Sequence, residues 1–377
     1  MGLIASPEKR LSVHRMAIQL LNAFFKTEKP YRGNFAQRYL LEKAPFLDAA
    51  CKSWVARPWV QHQTAMPVRN LKPGCCIGAI PHYRTGIGHI LSEWNTGLLW
   101  SIKLGIPFVH CPLRPPWNDF FGLAGFADYQ STRRIPGVRC VKLPPIPRTQ
   151  DPADSPLITS IINHYGKRGP TLFNLYYAQN SFRQDESSDI LRSKYLLRRQ
   201  SHPMPNVRRE GLINVSVHVR RPTGEDSTNP AFNDPNSEAH RSRYFGSNYF
   251  LHICQEIEKV LGAENVIFNI FSLGSLSDFQ AFDVLKNRVL HLNNDERETF
   301  HNLVVGDVLV VSPSGFSFMA GMISSGFKIA PHPWWHHIPE DSHWCRVGVE
   351  PGEGQERLRE FLMAVKQNVP PTHTPDR

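Results

Sequence analysis

The stretch Gly211-Leu-Ile-Asn-Val-Ser-Val-His-Val-Arg-Arg221 decides the fold of this chain. Its aliphatic residues alternate with polar ones, which is the two-residue period of a β-strand, and the β-branched content favours the same structure. The strand ends in Arg220 and Arg221 and is followed by a polar loop. In an open α/β sheet, ligands bind beyond the carboxyl ends of the strands. Two guanidinium groups at such an end therefore predict a ligand with several negative oxygens, such as a diphosphate.

A strand, a glycine loop, a helix and a second strand follow one another in the first half of the chain. The apolar run of residues 75–80 leads into the glycine loop (residues 84–89) and then into a helix predicted from Ile90 to Leu104, which Gly105 ends. This order is the βαβ unit of nucleotide-binding folds. Free backbone N–H groups at the start of the helix suit a phosphate or a sugar hydroxyl, although an ordinary tight turn is the alternative.

A serine-rich turn appears at a similar junction downstream. Residues 299–311 predict a short helix and a strand, which run into Ser312-Pro-Ser-Gly-Phe-Ser317, named the serine turn below. Ser314 or Ser317 can cap the helix that follows, and the N–H groups of Gly315, Phe316 and Ser317 then point beyond the strand. A plain capped helix is the alternative.

These three places resemble one known family. His218-Val-Arg-Arg221 resembles the His-x-Arg-Arg signature of the fucosyltransferase superfamily of GT-B glycosyltransferases, and the glycine loop and the serine turn resemble two further motifs of that family. The resemblance implies an α/β fold of GT-B type, with two Rossmann-type lobes whose mostly parallel sheets face each other across a cleft. It also implies that the second arginine contacts the β-phosphate of GDP-fucose. The nucleotide-sugar-binding residues implied in this way are His218, Arg220, Arg221, Ser272, Ser314, Gly315, Phe316, Ser317, Arg84, Gly86, Gly88 and His89, with His82 as a further candidate.

We expect the chain to divide into an N-terminal lobe on the acceptor side (residues 1–205), a C-terminal nucleotide-sugar-binding lobe (206–350), and a C-terminal helix and tail (351–377). Two amphipathic helices are predicted within residues 6–56. Residues 198–209 are interpreted as the linker between the lobes, residues 222–243 as a long polar loop, and residues 326–331 as the last strand. For Trp117, Phe120, Phe121 and Tyr129 we favour packing over a role in an acceptor cleft.

Composition limits the class of protein. The 377 residues are 41% hydrophobic and 20% charged, as in a globular chain, and no window is apolar enough for a membrane span. A net charge of +10 and a pI near 9.3 suit nucleotide phosphates, an anionic membrane face or nucleic acid. Without a zinc-finger spacing or a basic-aromatic RNA-binding signature, we expect no nucleic-acid partner. Peripheral contact with a membrane stays open.

The sequence favours a reducing compartment. It has seven cysteines without a C-x-x-C pair, and Asn214-Val-Ser216, a glycosylation sequon, lies inside the predicted strand. Residues Glu8 to Arg15 interrupt any signal peptide. We therefore expect a soluble cytoplasmic protein. The histidines of the segment 332–337 match no known zinc spacing, and a cleft-lining aromatic loop is the preferred interpretation.

Sugar transfer places growing negative charge on the leaving phosphate, and Arg221 is the predicted catalytic group that stabilises it. The chain has no Asp-x-Asp metal motif, so we expect a metal-independent enzyme without a cofactor other than the donor substrate. Inverting transfer also needs a general base. The family's acidic residue two places after the second arginine is missing here. Glu225 and Asp226 are the preferred candidates for this base, with Asp234 and Glu238 still open.

Together these features predict an inverting, metal-independent glycosyltransferase that moves a sugar to a hydroxyl of a glycan or glycoconjugate acceptor. The resemblance makes fucose from GDP-fucose the best guess for the donor, and UDP-sugars and other GDP-sugars remain open. The alternative is a basic protein that binds nucleic acid or glycans on a transferase-like fold without catalysis.

Overall fold

The structure is a computed structural model that describes residues 68–144, 151–176, 183–222, 230–349 and 352–369. The helices predicted within residues 6–56 and the candidate bases Glu225 and Asp226 lie outside these residues.

The first lobe is built on a five-stranded sheet with strand order β3-β2-β1-β5-β4, in which the pairings between described residues are parallel. Helix α1 buries Ile90, Leu91 and Trp94, and it ends where Gly105 adopts a left-handed φ of 63°. The elements are β1 (Cys76–Ile80), α1 (Ile87–Leu104), β2 (Phe108–His110), α2 (Trp117–Phe120), β3 (Ala127–Asp128), α3 (Tyr129–Arg133), β4 (Arg139–Lys142), α4 (Pro156–Gly166), β5 (Thr171–Tyr176) and α5 (Ser188–Ser201), with 3-10 turns at Pro152–Asp154 and Gln184–Ser187.

The second lobe is built on a six-stranded sheet with strand order β11-β10-β9-β6-β7-β8, again parallel between the described residues. The strand predicted from residues 211–221 is β6, and it lies between β9 and β7 in the middle of this sheet. The elements are β6 (Ile213–His218), α6 (Pro230–Asn233), α7 (Glu238–Arg241), α8 (Ser247–Leu261), β7 (Val266–Ser272), β8 (Arg288–Leu292), α9 (Glu296–Val305), β9 (Val308–Val310), α10 (Gly315–Ile323), β10 (Phe327–His332), β11 (Trp344–Gly348) and α11 (Gln355–Asn368), with a 3-10 segment at Leu276–Val284.

The two lobes share one apolar core. Helix α1 of the first lobe packs on α10 of the second, and a single buried cluster contains side chains from both lobes. Polar contacts between α5 and α10 also join the two lobes. Arg192 of α5 donates to the carbonyl oxygens of Met322, Ile323 and Ser324 at distances of 3.3, 2.8 and 3.2 Å, and these carbonyls belong to the last turn of α10. The lobes are therefore packed against each other along α10.

The predicted fold class is confirmed, since two parallel sheets with helices form an α/β fold of two Rossmann-type lobes. The predicted packing role of Trp117, Phe120, Phe121 and Tyr129 is also confirmed, because all four are buried. Strand β5 was not predicted from the sequence, although it lies between β1 and β4 in the first sheet. The predicted last strand was wrong, because β11 follows β10, and so was the predicted start of the linker, because α5 extends to Ser201.

No helix within the described residues is long and apolar enough to cross a membrane. Each described cysteine is a free thiol, and of these only Cys140 is exposed. Asn214 of the sequon is 1% exposed within β6, as expected from its place in a buried strand.

Candidate functional site

Strand β6 carries His218, Arg220 and Arg221 to the carboxyl edge of the second sheet. Val215 and Val217 are buried between β9 and β7, which fixes the strand and hence the direction of the residues that follow it. Because the neighbouring strands are parallel, their carboxyl ends meet at the same edge. Ser312 follows β9, and Ser272 ends β7. The predicted phosphate-binding residues of the second lobe are thus brought to one edge.

His218 is held as a neutral ring beside the serine turn. Its Nδ1 lies 2.7 Å from Oγ of Ser312, and its ring centroid lies 5.6 Å from that of Phe316. Burial, together with the positive charge of the nearby Arg220, lowers the pKa of His218 to about 3. A neutral imidazole can donate from one nitrogen while the other accepts. His218 is therefore suited to hydrogen bonding with a ligand and not to carrying charge.

The two arginines diverge from the end of β6 and are held by different elements. Nη1 of Arg220 donates to Oγ of Ser314 at 3.0 Å, and its guanidinium lies 5.6 Å from the ring centroid of Tyr244. Nη2 of Arg221 donates to the carbonyl oxygen of Asp278 at 3.2 Å, and its guanidinium lies 5.2 Å from the ring centroid of Phe279. Both side chains keep partial exposure. Each guanidinium is therefore oriented by the protein before any ligand binds.

Arg221 also keeps unused donor capacity. Its Nε is buried and has no hydrogen-bond partner within the described part of the chain. Nη2 approaches Oγ of Ser247, at the start of α8, at 3.5 Å. A buried donor without a partner is a cost to the folded state.

The serine turn caps α10, as predicted. Oγ of Ser314 accepts the N–H of Phe316 at 3.3 Å, in addition to the bond from Arg220. Oγ of Ser317 donates inward to the carbonyl oxygens of Ser312 and Ser314 at 3.2 and 3.4 Å. All three serines are at most 1% exposed. Their hydroxyls thus hold the turn and Arg220 in place.

The glycine loop meets the serine turn directly. A Cβ on Gly88 would lie 2.2 Å from the backbone N of Phe316 and 2.3 Å from the carbonyl carbon of Gly315. The two backbones are therefore in contact, although the residues are far apart in sequence. Gly86 is different, because it is exposed and a Cβ there would meet nothing within 4 Å.

The N-termini of α1 and α10 consequently lie side by side. Neither helix has an acidic residue in its first turn. Each helix N-terminus carries a partial positive charge. The two N-termini and the neighbouring Arg220 therefore form a positively charged region, named the anion site below, and no acidic side chain in either first turn neutralises it. Such an arrangement favours an anion.

Ser272, Arg84 and His89 take peripheral places. Oγ of Ser272 donates to the carbonyl oxygen of Val219 at 2.7 Å and so ties the end of β7 to β6. Arg84 is exposed in the glycine loop, and His89 is half-buried in the first turn of α1. The structure thus brings His218 and Arg220 together with the serine turn and Gly88, whereas Arg221 leaves the end of β6 toward Asp278 and Phe279.

The segment 332–337 packs as an aromatic loop near the same edge. His336 stacks on Phe318 with ring centroids 4.1 Å apart, and the guanidinium of Arg243 lies between the rings of Phe232 and Trp335, at 4.2 and 5.3 Å. Within the described residues, no group of three His, Cys, Asp or Glu side chains is arranged to hold a metal ion. Metal independence stays a prediction.

Glu93, which lies in α1 and is 2% exposed, was not among the residues predicted from the sequence. Its Oε2 accepts the backbone N–H of His82 at 2.6 Å, and burial raises its pKa to about 7. The signal was present in the sequence, because Glu93 is the only acidic residue of α1 and falls among the apolar residues of that helix.

Comparisons with known proteins give a likeness of fold. No protein-family model and no curated protein matches the chain. Among solved structures, POFUT1 in complex with GDP is similar at 12% identity and a TM-score of 0.40, with 68% of this chain and 97% of that chain covered. POFUT1 in complex with GDP-fucose is similar at 10% identity and a TM-score of 0.39, with 69% and 97% covered. The apo form of POFUT1 gives 11% identity and a TM-score of 0.38, with 67% and 96% covered. At this level of likeness, the function is argued from the site itself.

Proposed function

We propose that this protein is a glycosyltransferase that uses a nucleoside diphosphate sugar as its donor. One observation carries the proposal. Two helix N-termini, from different lobes, touch at the carboxyl edge of the second sheet, and Arg220 is bonded to the cap of one of them. A diphosphate has the charge and the several oxygens that this place can bind.

The mechanism follows from the charge that develops during transfer. As the glycosidic bond to the diphosphate breaks, negative charge grows on the leaving phosphate oxygen. Fixed donors aimed at that oxygen lower the barrier, because they need no reorganisation during the reaction. Arg220 is fixed by Ser314 and Tyr244, and Arg221 by the Asp278 carbonyl and Phe279. In this proposal Arg221, whose side chain is partly exposed, stabilises the leaving group.

Several finer features of the proposal rest on the sequence. Fucose from GDP-fucose is the proposed donor because of the resemblance to the His-x-Arg-Arg signature. Metal independence is proposed because the arginines and helix N-termini can supply the positive charge that a metal supplies elsewhere. Inversion requires a base to take the proton of the acceptor hydroxyl, and Glu225 or Asp226 is proposed for it.

Nucleotide binding tests the proposal. We expect GDP to raise the melting temperature of the protein more than UDP or dTDP does, since a ligand that binds only the folded state stabilises it. Arg221→Ala should weaken GDP binding by roughly tenfold or more, the usual effect of losing a charge-assisted hydrogen bond. Arg208→Ala is the matched control, because it removes the same charge at the opposite edge of the sheet, where Arg208 bonds Asp307.

The outcome of this experiment separates the proposal from its competitors. Equal GDP affinity in Arg221→Ala and Arg208→Ala would contradict the assigned role of Arg221. If no nucleoside diphosphate binds, the donor assignment is wrong. The net charge of +10 favours a nucleic-acid-binding protein as the second candidate. That function predicts RNA or DNA binding that weakens steeply with salt, without any nucleotide effect.

A further inference from the structure

Three charged side chains are buried within the described residues: Glu93, Glu256 and Lys328. Glu256 has an ion-pair partner, because it is bonded to the guanidinium of Arg359 at 2.8 Å. Lys328 donates to the carbonyl oxygen of Gly326 at 2.8 Å, and its ammonium lies 5.3 Å from the ring centroid of Trp344. Glu93 has no ion-pair partner within the described part of the chain, and its bond goes to a backbone N–H. A buried carboxylate without a charged partner destabilises the folded state. The hydrogen bond from the N–H of His82 to Glu93 is therefore expected to have a role in the site.

That contact holds the turn which precedes α1. The N–H and the Oγ1 of Thr85 both donate to the carbonyl oxygen of His82, at 3.0 and 2.7 Å, which closes a turn over residues 82–85. Together with Gly86, which follows it, this segment is named the 82–86 turn. Glu93 binds the base of this turn through the N–H of His82. Arg114 donates to the carbonyl oxygen of Thr85 at 3.1 Å and holds the other end. Glu93 therefore fixes one of the two anchors of the turn.

Residues 86–88 connect the turn covalently to the anion site. The turn leads through Gly86 to Gly88, whose backbone packs against Gly315 and Phe316 in the serine turn. The serine turn in turn bonds Arg220 through Ser314. A change at the base of the turn thus reaches the N-terminus of α1 and its contact with α10.

We propose that Glu93 is a positioning residue of this site, whose carboxylate holds the 82–86 turn and whose protonation loosens it, so that diphosphate affinity depends on the charge of Glu93. This inference rests on the proposed function for the identity of the ligand. The role of Glu93 in ordering the turn is independent of the proposed function, because the order of the turn can be measured in the protein without ligand. A charge-assisted hydrogen bond is stronger than a neutral one, which is why the proton matters.

The titration of Glu93 falls in an accessible range. Burial raises its pKa to about 7, partly opposed by the His82 bond. The 82–86 turn contributes His82, Tyr83 and Arg84, and α1 itself contributes His89 in its first turn. The remaining elements packed against α1 contribute Cys76, His110, Cys111, Asp151, Asp154, Asp185 and Glu186, and α1 itself also carries Lys103 in its last turn, while α10 has no charged residue.

Two of these neighbours stay neutral near pH 7. Burial raises the pKa of Tyr83 to about 12, and the Glu93 carboxylate adds to that rise. Burial also raises the pKa of the Cys111 thiol to about 12. Because His82, His89 and His110 lie near the same turn, the test compares Glu93→Gln with the wild type at each pH, so that contributions shared by both proteins, including that of the nucleotide, cancel.

The variants are Glu93→Gln, which keeps an acceptor oxygen but no charge, and the matched control Glu256→Gln, another buried carboxylate outside the site. The first measurement is GDP affinity at pH 6 and pH 8. At pH 8 we expect Glu93→Gln to bind GDP roughly three- to tenfold more weakly than the wild type, and at pH 6 to bind it equally well. Glu256→Gln should show the same ratio to the wild type at both pH values. A ratio for Glu93→Gln that does not change with pH would overturn the proposal.

The second measurement is hydrogen exchange of residues 82–86 without ligand. We expect Glu93→Gln to lose protection there at pH 8 and Glu256→Gln to keep it, and we expect the wild type to be less protected at pH 6 than at pH 8 after correction for intrinsic rates. Equal protection in Glu93→Gln and wild type at pH 8 overturns the role of Glu93. If the wild type binds no nucleoside diphosphate, the proposed function fails, and exchange alone still decides whether Glu93 positions the turn.

Discussion

Replacing Gly88 by alanine should separate the two helices on which the site is built. The added Cβ would lie 2.2 Å from the backbone N of Phe316, whereas ordinary Cβ contacts begin at 3.4 Å. The obstacle is backbone on the α10 side, so no side chain can rotate away. The N-termini of α1 and α10 must then move apart by roughly 1 Å, as these distances require.

The size of the effect follows from where the strain is placed. Overpacking a core usually costs about 1–3 kcal/mol, and the upper end applies here because the contact is between two helix backbones inside the core that both lobes share. We therefore expect Gly88→Ala to lower the free energy of unfolding by about 3 kcal/mol. For a chain of this size that lowers Tm by roughly 4 °C.

Gly86→Ala provides the matched control. Gly86 has a φ of −61° and open space around its Cβ position, so alanine should change stability by less than about 0.5 kcal/mol. Urea unfolding of both variants, followed by circular dichroism, measures the difference. If Gly88→Ala unfolds at the same urea concentration as Gly86→Ala, the direct contact between the glycine loop and the serine turn does not exist. The place proposed for the diphosphate would then lose one of its two helix N-termini.

Two further outcomes are expected. Ser314→Ala should lower the free energy of unfolding in urea by about 1 kcal/mol, because α10 loses its N-cap. It should also weaken GDP binding, because Arg220 loses its hydrogen bond to Ser314. Unchanged GDP affinity would show that Arg220 does not need this hydrogen bond. Glu93→Gln should raise the free energy of unfolding at pH 8 by up to about 3 kcal/mol and change it little at pH 4. The sign follows from the raised pKa: the fold favours the protonated carboxyl, and the wild type loses that stability as pH rises from about 4.5 through about 7. An equal effect of Glu93→Gln at both pH values would show that the charge is not the cause.

Local patterns predicted much of the second lobe. The alternation in residues 211–221 indicated β6, and the serine after β9 indicated the cap of α10, because a strand period and an N-cap are both encoded in a few adjacent residues. The left-handed end of α1 at Gly105 was predictable for the same reason. These features depend on the backbone near each residue and little on the rest of the molecule.

Features that depend on tertiary contacts were not predicted, or were predicted without distinguishing between neighbouring residues. The run Thr171–Tyr176 carries Asn174 in its middle and was not recognised as a strand, although burial between β1 and β4 makes it one. Gly86 and Gly88 looked equivalent in the sequence, since either suits a tight turn. Only the position of α10 distinguishes them, because it lies against Gly88 and leaves Gly86 open. Sequence periodicity contains no information about that neighbour.

The Glu93 carboxylate should lower the stability of the fold and, in the same protein, strengthen diphosphate binding. A buried carboxylate without an ion-pair partner destabilises the fold, so that glutamine at this position should make the protein more stable above pH 7. The same glutamine should bind the 82–86 turn less firmly, and through Gly88 it should weaken the anion site. Such a trade-off is expected where a binding site is preorganised, because a residue that orders the site can lower the stability of the fold. If Glu93→Gln proved both more stable and fully able to bind GDP at pH 8, the carboxylate would have no role in the site, and its burial would have to be explained by packing in α1 alone.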